Sequence, residues 1–322
     1  MIVVTGGAGF IGSCIVARLN KEGRNDILIV DEKGKGDTKQ GNLQGKRFWR
    51  FMDKGEFLKC LLKNDLPSSI DQFVHMGACS STTLTDVHYY RENNFEYSCH
   101  VAEWCMKHQA RLIYASSAAT YGDGNLGYKD DDSVTRKLKP LNLYGKSKQN
   151  FDVWVLDHGY ETKFVGLKFF NVFGPNEYHK GDMKSVIAKA YRHVVKEGTM
   201  RLFKSHNSRY QDGEQMRDFS YVKDAIEVVM FFLKNPQING IYNLGTGKAR
   251  TWNDLAYALF KAVGKTPNIE YFEMPDHLKP RYQYFTQADM AKLKRAGYDK
   301  IFMPLEDAIK DYVTYLNQDQ YF

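Results

Sequence analysis

Apolar residues gather into short, nearly continuous runs before Thr5 and at 27–30, 71–75, 111–115 and 164–170, with stretches of helical spacing between them. Strand-length runs alternating with helix-length intervals predict a parallel, doubly wound sheet, because parallel neighbours need a crossover connection. Residues 100–109 are the expected helix feeding the strand that ends at Ser116 and Ser117. Beyond Gly174 and Pro175 the pattern changes to a loop rich in Asn, His, Lys and Gly, a helix near 184–197 and a polar stretch over 204–215. Short strands are expected again at 217–222 and 240–244, so the chain crosses between two lobes more than once.

The first run leads straight into a glycine cluster. Gly6, Gly9 and Gly12 stand where a strand must turn sharply into a helix, let its backbone approach a pyrophosphate and let helix and strand pack closely. Each of these tasks needs a residue without Cβ. The anion is then expected on the free N–H groups and positive end of the helix that starts near Phe10. Asp31 closes the second run at the distance where an acid meets an adenosine ribose. The predicted architecture is α/β, a Rossmann-like doubly wound parallel sheet with a smaller C-terminal substrate-binding domain. Residues 1–171, with a returning segment near 219–245, make the dinucleotide-binding domain, and 172–218 with 246–322 make the second.

Composition narrows the function classes. With 322 residues, 43% of them hydrophobic, the chain can bury a large core. No stretch approaches the ~20 apolar residues of a membrane span, and Met1 leads directly into the first strand without room for a signal peptide. A cytoplasmic protein with no membrane partner is therefore expected. Five cysteines without a C-x-x-C pair argue against a disulfide framework and for buried, reduced thiols; no metal is expected. The net charge of +7 is spread along the chain with no arginine-rich stripe, zinc-finger or RNA-recognition pattern. That argues against nucleic acid and for anionic small molecules.

The chemistry concentrates around Ser116, Ser117 and Tyr144-Gly-Lys-Ser-Lys148. Positions i and i+4 share a helix face, so the Tyr144 phenol and the Lys148 ammonium are expected side by side. A cation there, reinforced by a nicotinamide ring, is expected to lower the phenol's pKa and make it a base, while a strand-end serine bonds the same substrate oxygen. A second Tyr-x-x-x-Lys, Tyr257 to Lys261, has no Ser-Ser strand before it and is expected to be structural.

The strings G-G-A-G-F-I-G, Y-A-S-S-A-A-T-Y-G and Y-G-K-S-K resemble the extended short-chain dehydrogenase/reductase family of nucleotide-sugar epimerases and dehydratases. The strings around His75 to Thr83, Phe170 to Pro175, His179-Lys-Gly181, Arg217 to Phe219 and Arg281 to Gln287 are similar to its ADP-heptose 6-epimerase branch. The resemblance implies Tyr144 and Lys180 as the two acid/base groups, supported by Lys148 and Ser117. It implies cofactor contacts from Phe10, Ile11, Asp31, Glu32, Lys39, Lys54, Met76, Gly77, Ala78, Cys79, Ser80, Asn93, Lys148, Val172 and Lys180. It implies substrate contacts from Ser117, Asn171, Lys189, Phe203, Lys204, Ser205, His206, Arg217 and Tyr282, with an ADP-heptose as substrate. It also implies a homo-oligomer, with a pentamer as the family's precedent. Arg217 suits a diphosphate through its planar fork; the plainer alternative is an ion pair with Asp218 or another acid.

Asp182 and Lys189 depart from the family pattern, and the 204–215 segment is longer than in some members. Other readings are a UDP-sugar 4-epimerase and a catalytically silent NADP-binding protein. A dehydratase is disfavoured, because Ala118 and Ala119 stand where such relatives carry an acid pair. Asp31 and Glu32 repel a 2′-phosphate and favour NAD, whereas Lys33, Lys35, Lys39 and Lys54 offset them. NADP is the expectation, with NAD the alternative.

Overall fold

The computed structural model describes residues 1–32, 39–276 and 278–322. Six strands follow one another in the first half: β1 (Ile2–Thr5), β2 (Ile27–Asp31), β3 (Arg50–Asp53), β4 (Gln72–His75), β5 (Arg111–Ser117) and β6 (Val165–Phe169). A seventh, Gly240–Leu244, adds to β6, and the sheet runs in spatial order β3-β2-β1-β4-β5-β6 and then Gly240–Leu244. All its pairs are parallel. The runs are continuous because helices cover both faces. Ile2, Val4, Ile27 and Ile29 face one core with Ile15, Leu19, Ile226 and Phe232. Val3, Leu28 and Val30 face the other with Phe57, Phe73, Val101, Trp104 and Val155. Each such fully buried aliphatic side chain contributes about 1.5–3 kcal/mol.

The strand order reverses between β1 and β4, and a crevice opens there at the carboxyl ends of the strands. The helix Phe10–Lys21, α1, starts in it. Met216–Tyr221, expected as a strand, joins a separate sheet between Asn171–Phe173 and Ala249–Thr251. A two-stranded pair, Met200–Phe203 with Ile269–Phe272, lies beyond it. The pattern did not reveal β3, because this edge strand has one fully buried position. Among the described residues, no helix is long and apolar enough to cross a membrane. Cys14, Cys99 and Cys105 are buried free thiols as expected, but Cys60 and Cys79 are half-buried.

Candidate active site

Glycine geometry builds the mouth of the crevice. A Cβ on Gly12 would stand 2.1 Å from the Gly6 carbonyl oxygen, so α1 packs on the turn only with glycine there. Gly9 caps α1 without a side-chain bond, and no acid occupies its first turn. The first N–H groups of α1 therefore stay available to an anion. Asp31 braces the turn by accepting from the Ala8 N–H at 2.9 Å.

A cleft of about 660 Å³ follows from this turn along the strand ends. Gly6, Gly9, Phe10, Ile11, Gly12, Asp31, Glu32, Lys39, Lys54, Met76, Gly77, Ala78, Cys79, Ser80, Asn93 and Val172 line it, and so do Ser117, Tyr144, Lys148, Asn171 and Lys180. Thr5, Ser81, Thr82, Tyr89, Tyr97, His179 and Met183 line it as well, although their chemistry did not single them out. Thr5 ends β1, and Ser81 and Thr82 lie in the segment after β4; that position was the signal available. The turn after β4 is held by Asn94, which accepts from the Cys79 N–H at 2.8 Å and donates to the Cys79 carbonyl and to Ser147. Asn93 and Asn94 sit in a π-helical stretch, Arg91–Glu96, a geometry that recurs at functional sites.

At the ribose end Asp31 and Glu32 each meet a lysine. Lys39 bonds Asp31, Lys54 pairs with Glu32, and Lys54 also donates to Asn93 at 2.8 Å. Lys33 and Lys35 lie outside the described residues.

At the chemical end, the helix Leu143–Asp157 is capped by Asn142, which accepts from Gly145 N–H at 2.7 Å. A Cβ on Gly145 would meet the Ala119 carbonyl at 2.7 Å, so this glycine lets the helix approach the end of β5. Tyr144, Lys148 and Asp152 follow at four-residue spacing on one face. The two serines divide their roles. Ser116 is buried and donates to Asp152 at 2.6 Å, whereas Ser117 stands by Tyr144 in the cleft lining and accepts from the Ala119 N–H at 3.1 Å. Only Ser117 is free to share a substrate oxygen.

The expected lowering of the Tyr144 pKa is reversed in the protein itself. Burial raises it, with the Ser117 side chain a smaller opposing effect. Lys148 turns to the Ala115 carbonyl at 2.8 Å, and burial pulls its pKa down to about 8 against the attraction of Asp152. Beneath them Asp152 and Lys168 form a fully buried ion pair at 2.6 Å, completed by Thr120, Ser116 and Tyr114. Hydrogen bonds to both members make such a pair tolerable in low dielectric.

Lys180 arrives from a different element, the turn Tyr178–Met183. Its ammonium lies 5.4 Å from the centroid of the Phe10 ring. Burial lowers its pKa, and Glu177 opposes that effect.

The remaining substrate candidates lie outside the cleft lining. Arg217 is buried in an aromatic cage, its guanidinium 5.0 Å from Tyr282 and 5.8 Å from Trp252. The ion-pair alternative is not what the fold builds. Asp218 is occupied by the N–H groups of Thr246, Gly247 and Ala288, and among the described residues Arg217 has no carboxylate within salt-bridge distance. Phe203 packs tilted against Phe272 and edge-on to Tyr282, and Ser205 N–H donates to Asp212. Lys204 and His206 both pair with Glu273, and the exposed Lys189 donates to the Asp182 carbonyl. Gln283 donates to the Gly122 carbonyl at 2.6 Å, tying the segment of Tyr282 to the loop beyond β5. Tyr257, in the second Tyr-x-x-x-Lys, is half exposed on the helix Trp252–Ala262 and does not line the cleft.

His75 couples the two central strands. The Thr5 hydroxyl contacts its Nδ1 at 2.6 Å and its Nε2 contacts Ser98 at 2.9 Å. Burial, with the Lys148 charge adding, pushes its pKa down to about 3. The unfolded imidazole titrates near 6.5. Above that pH the neutral ring adds stability fully. As pH falls from about 6.5 toward 3, the unfolded state binds the extra proton and stability falls by up to about 1.4 kcal/mol per pH unit. Urea unfolding across that window should show a steeper acid loss in the wild type than in His75→Gln. Parallel slopes would remove His75 as the cause.

Residues 2–245 match the NAD dependent epimerase/dehydratase family. The chain is 53% identical over 97% of its length, and 97% of the relative's, to an ADP-L-glycero-D-manno-heptose-6-epimerase of Nitratidesulfovibrio vulgaris strain Hildenborough. It is 46% identical to one from Fusobacterium nucleatum with both chains fully covered. The crystal structure of the Helicobacter pylori ADP-L-glycero-D-manno-heptose-6-epimerase superposes with a TM-score of 0.80 at 26% identity, over 98% of this chain and 96% of that one.

Proposed function

Because the chain belongs to the NAD dependent epimerase/dehydratase family, we propose that it interconverts ADP-D-glycero-D-manno-heptose and ADP-L-glycero-D-manno-heptose by transient oxidation at C6″. It is an epimerase. The observation that carries the two-base form of this reading is that Tyr144 and Lys180, delivered by separate elements, line one cleft with the dinucleotide-binding turn. When bound, the nicotinamide supplies the acceptor and donor of hydride. The rest of the chemistry is proton handling by the protein. Tyr144 Oη takes the proton of the C6″ hydroxyl in one orientation of the sugar and Lys180 Nζ does so in the other, because inversion presents the oxygen from two sides. Ser117 Oγ holds that oxygen beside Tyr144, and Lys148 supplies fixed positive charge behind it.

The dinucleotide is held by the α1 N-terminus and the lining from Gly6 to Gly12, Met76 to Ser80, Asn93 and Val172. NADP is the form proposed. Lys39 and Lys54 neutralise Asp31 and Glu32, which supports a site that accepts a 2′-phosphate, with NAD the alternative. Residues 172–218 and 246–322 are proposed to hold the nucleotide sugar, and the protein is proposed to act in the cytoplasm as a homo-oligomer. Incubation with ADP-D-glycero-D-manno-heptose, with the epimers resolved chromatographically, tests the reaction; inversion of UDP- or GDP-sugars in its place would redirect the assignment. The nucleotide released on denaturation identifies the cofactor.

Arg217 is proposed to bind the substrate diphosphate. Arg217→Met removes a buried charge that has no carboxylate, so thermal stability should hold or rise. Substrate affinity measured by calorimetry should fall about tenfold to a hundredfold, the worth of one charged hydrogen bond of about 1.5–3 kcal/mol. Unchanged affinity would move the diphosphate elsewhere.

A further inference from the structure

Residues 320–322 fold back from the helix Leu305–Gln318 and dock on the turn that carries Lys180. Asp319 makes the reversal, with a left-handed φ of 48°. The Phe322 N–H donates to Asn176 Oδ1 at 2.8 Å, and Asn176 Nδ2 donates back to the Phe322 oxygen at 3.2 Å. Lys46 donates to that same oxygen at 2.6 Å, and the Phe322 ring sits 4.4 Å from the Lys21 ammonium. Tyr178, two residues before Lys180, donates to the Gln320 carbonyl at 2.8 Å, and its ring meets Tyr321 edge-on at 5.3 Å. Tyr321 in turn lies against Gly41.

The contact reaches the cleft through two buried asparagines. Asn176, itself at a left-handed φ of 76°, donates to Ser13 of α1 at 2.9 Å. Asn42 donates to the carbonyls of Asn176 and Ala8 and contacts His179 Nδ1 at 3.2 Å. One hydrogen-bonded chain thus links Phe322 to the phosphate-binding turn and to the neighbour of Lys180. From the opposite side Glu177 accepts from Gly174 N–H and from Ser185. Neither Asn176 nor residues 320–322 line the cleft, so this network acts on the site only by holding it.

The geometry points to residues 320–322, through Asn176, as a strap that positions Lys180 against the dinucleotide turn. This rests on Lys180 as the second acid/base group. Phe322→Ala removes the packed ring, and Asn176→Gly removes the amide while keeping the left-handed backbone. The second variant also keeps the test decisive if the first perturbs only the surface. In the full-length protein, amide exchange over 177–184 should accelerate at least about tenfold with the sheet core unchanged. Epimerisation kcat should fall by about a hundredfold, the scale of a misplaced group, with the KM for nucleotide sugar changing little. The first oxidation, read as reduced nicotinamide formed on mixing, should keep its wild-type rate for the epimer served by Tyr144. Phe322→Leu should restore most of the kcat. Unchanged exchange over 177–184 overturns the strap, and so does an equal slowing of the first oxidation for the two epimers. Lys180→Ala measured alongside separates the two readings. If it retains kcat, the acid/base role of Lys180 has failed, and exchange alone then decides whether the strap exists.

Discussion

Tyr144→Phe should abolish nearly all epimerisation while leaving the protein folded. The substitution deletes one oxygen, and the ring continues to fill its place between the end of β5 and the turn after β4. The Ser117 hydroxyl beside it keeps its bond from the Ala119 N–H. Proton transfer by a positioned group contributes about 10²–10⁴-fold, and kcat should fall within that range in both directions. Because burial raises the phenol's pKa, charge from Lys148 and from the bound nicotinamide must favour tyrosinate before it can act. Lys148→Met should therefore lower the rate and cofactor affinity together. Steady-state rates, with a thermal melt and a cofactor titration as controls, check this. A Tyr144→Phe protein that keeps more than about a hundredth of wild-type kcat would remove Tyr144 from the proton-transfer step.

Lys180→Ala should lose kcat to a similar degree with the substrate still bound. A lysine held by burial below its ordinary pKa offers more neutral amine near neutrality than a solvated one, with Glu177 opposing that shift. If Lys180 merely bound phosphate, its loss would raise KM and spare the rate at saturation. The contrast is sharpest with a substrate analogue bearing an aldehyde at C6″, where one molecule is oxidised and another reduced. Either base supports that dismutation alone, so Lys180→Ala should lose inversion yet retain dismutation, as should Tyr144→Phe. Restoration of inversion by an added small primary amine would place the missing function on the nitrogen. A Lys180→Ala enzyme with wild-type kcat for inversion leaves Tyr144 as the sole acid/base group.

Much of this site could be read from the chain alone because its parts are local. The apolar runs state where strands lie, since a strand covered on both faces must be apolar throughout; β3 escaped notice because the edge of the sheet imposes no such demand. The dinucleotide turn is legible because its demand for missing Cβ atoms falls within seven residues, Gly6 to Gly12. Helical periodicity puts Tyr144, Lys148 and Asp152 on one face without any knowledge of their surroundings. Tertiary structure decided what each of these groups touches. It separated Ser116, committed to Asp152, from Ser117, and it turned Lys148 to a carbonyl. It paired Asp31 with Lys39 and Asp152 with Lys168, and it surrounded Arg217 with aromatic rings in place of an acid. It also brought Phe322 to Asn176, 146 residues away. No periodicity encodes such partners, because they meet only when separate elements pack. The direction of each pKa shift depends on how completely that packing excludes water, so the chain determined which groups are present, and the fold determined their charge and orientation.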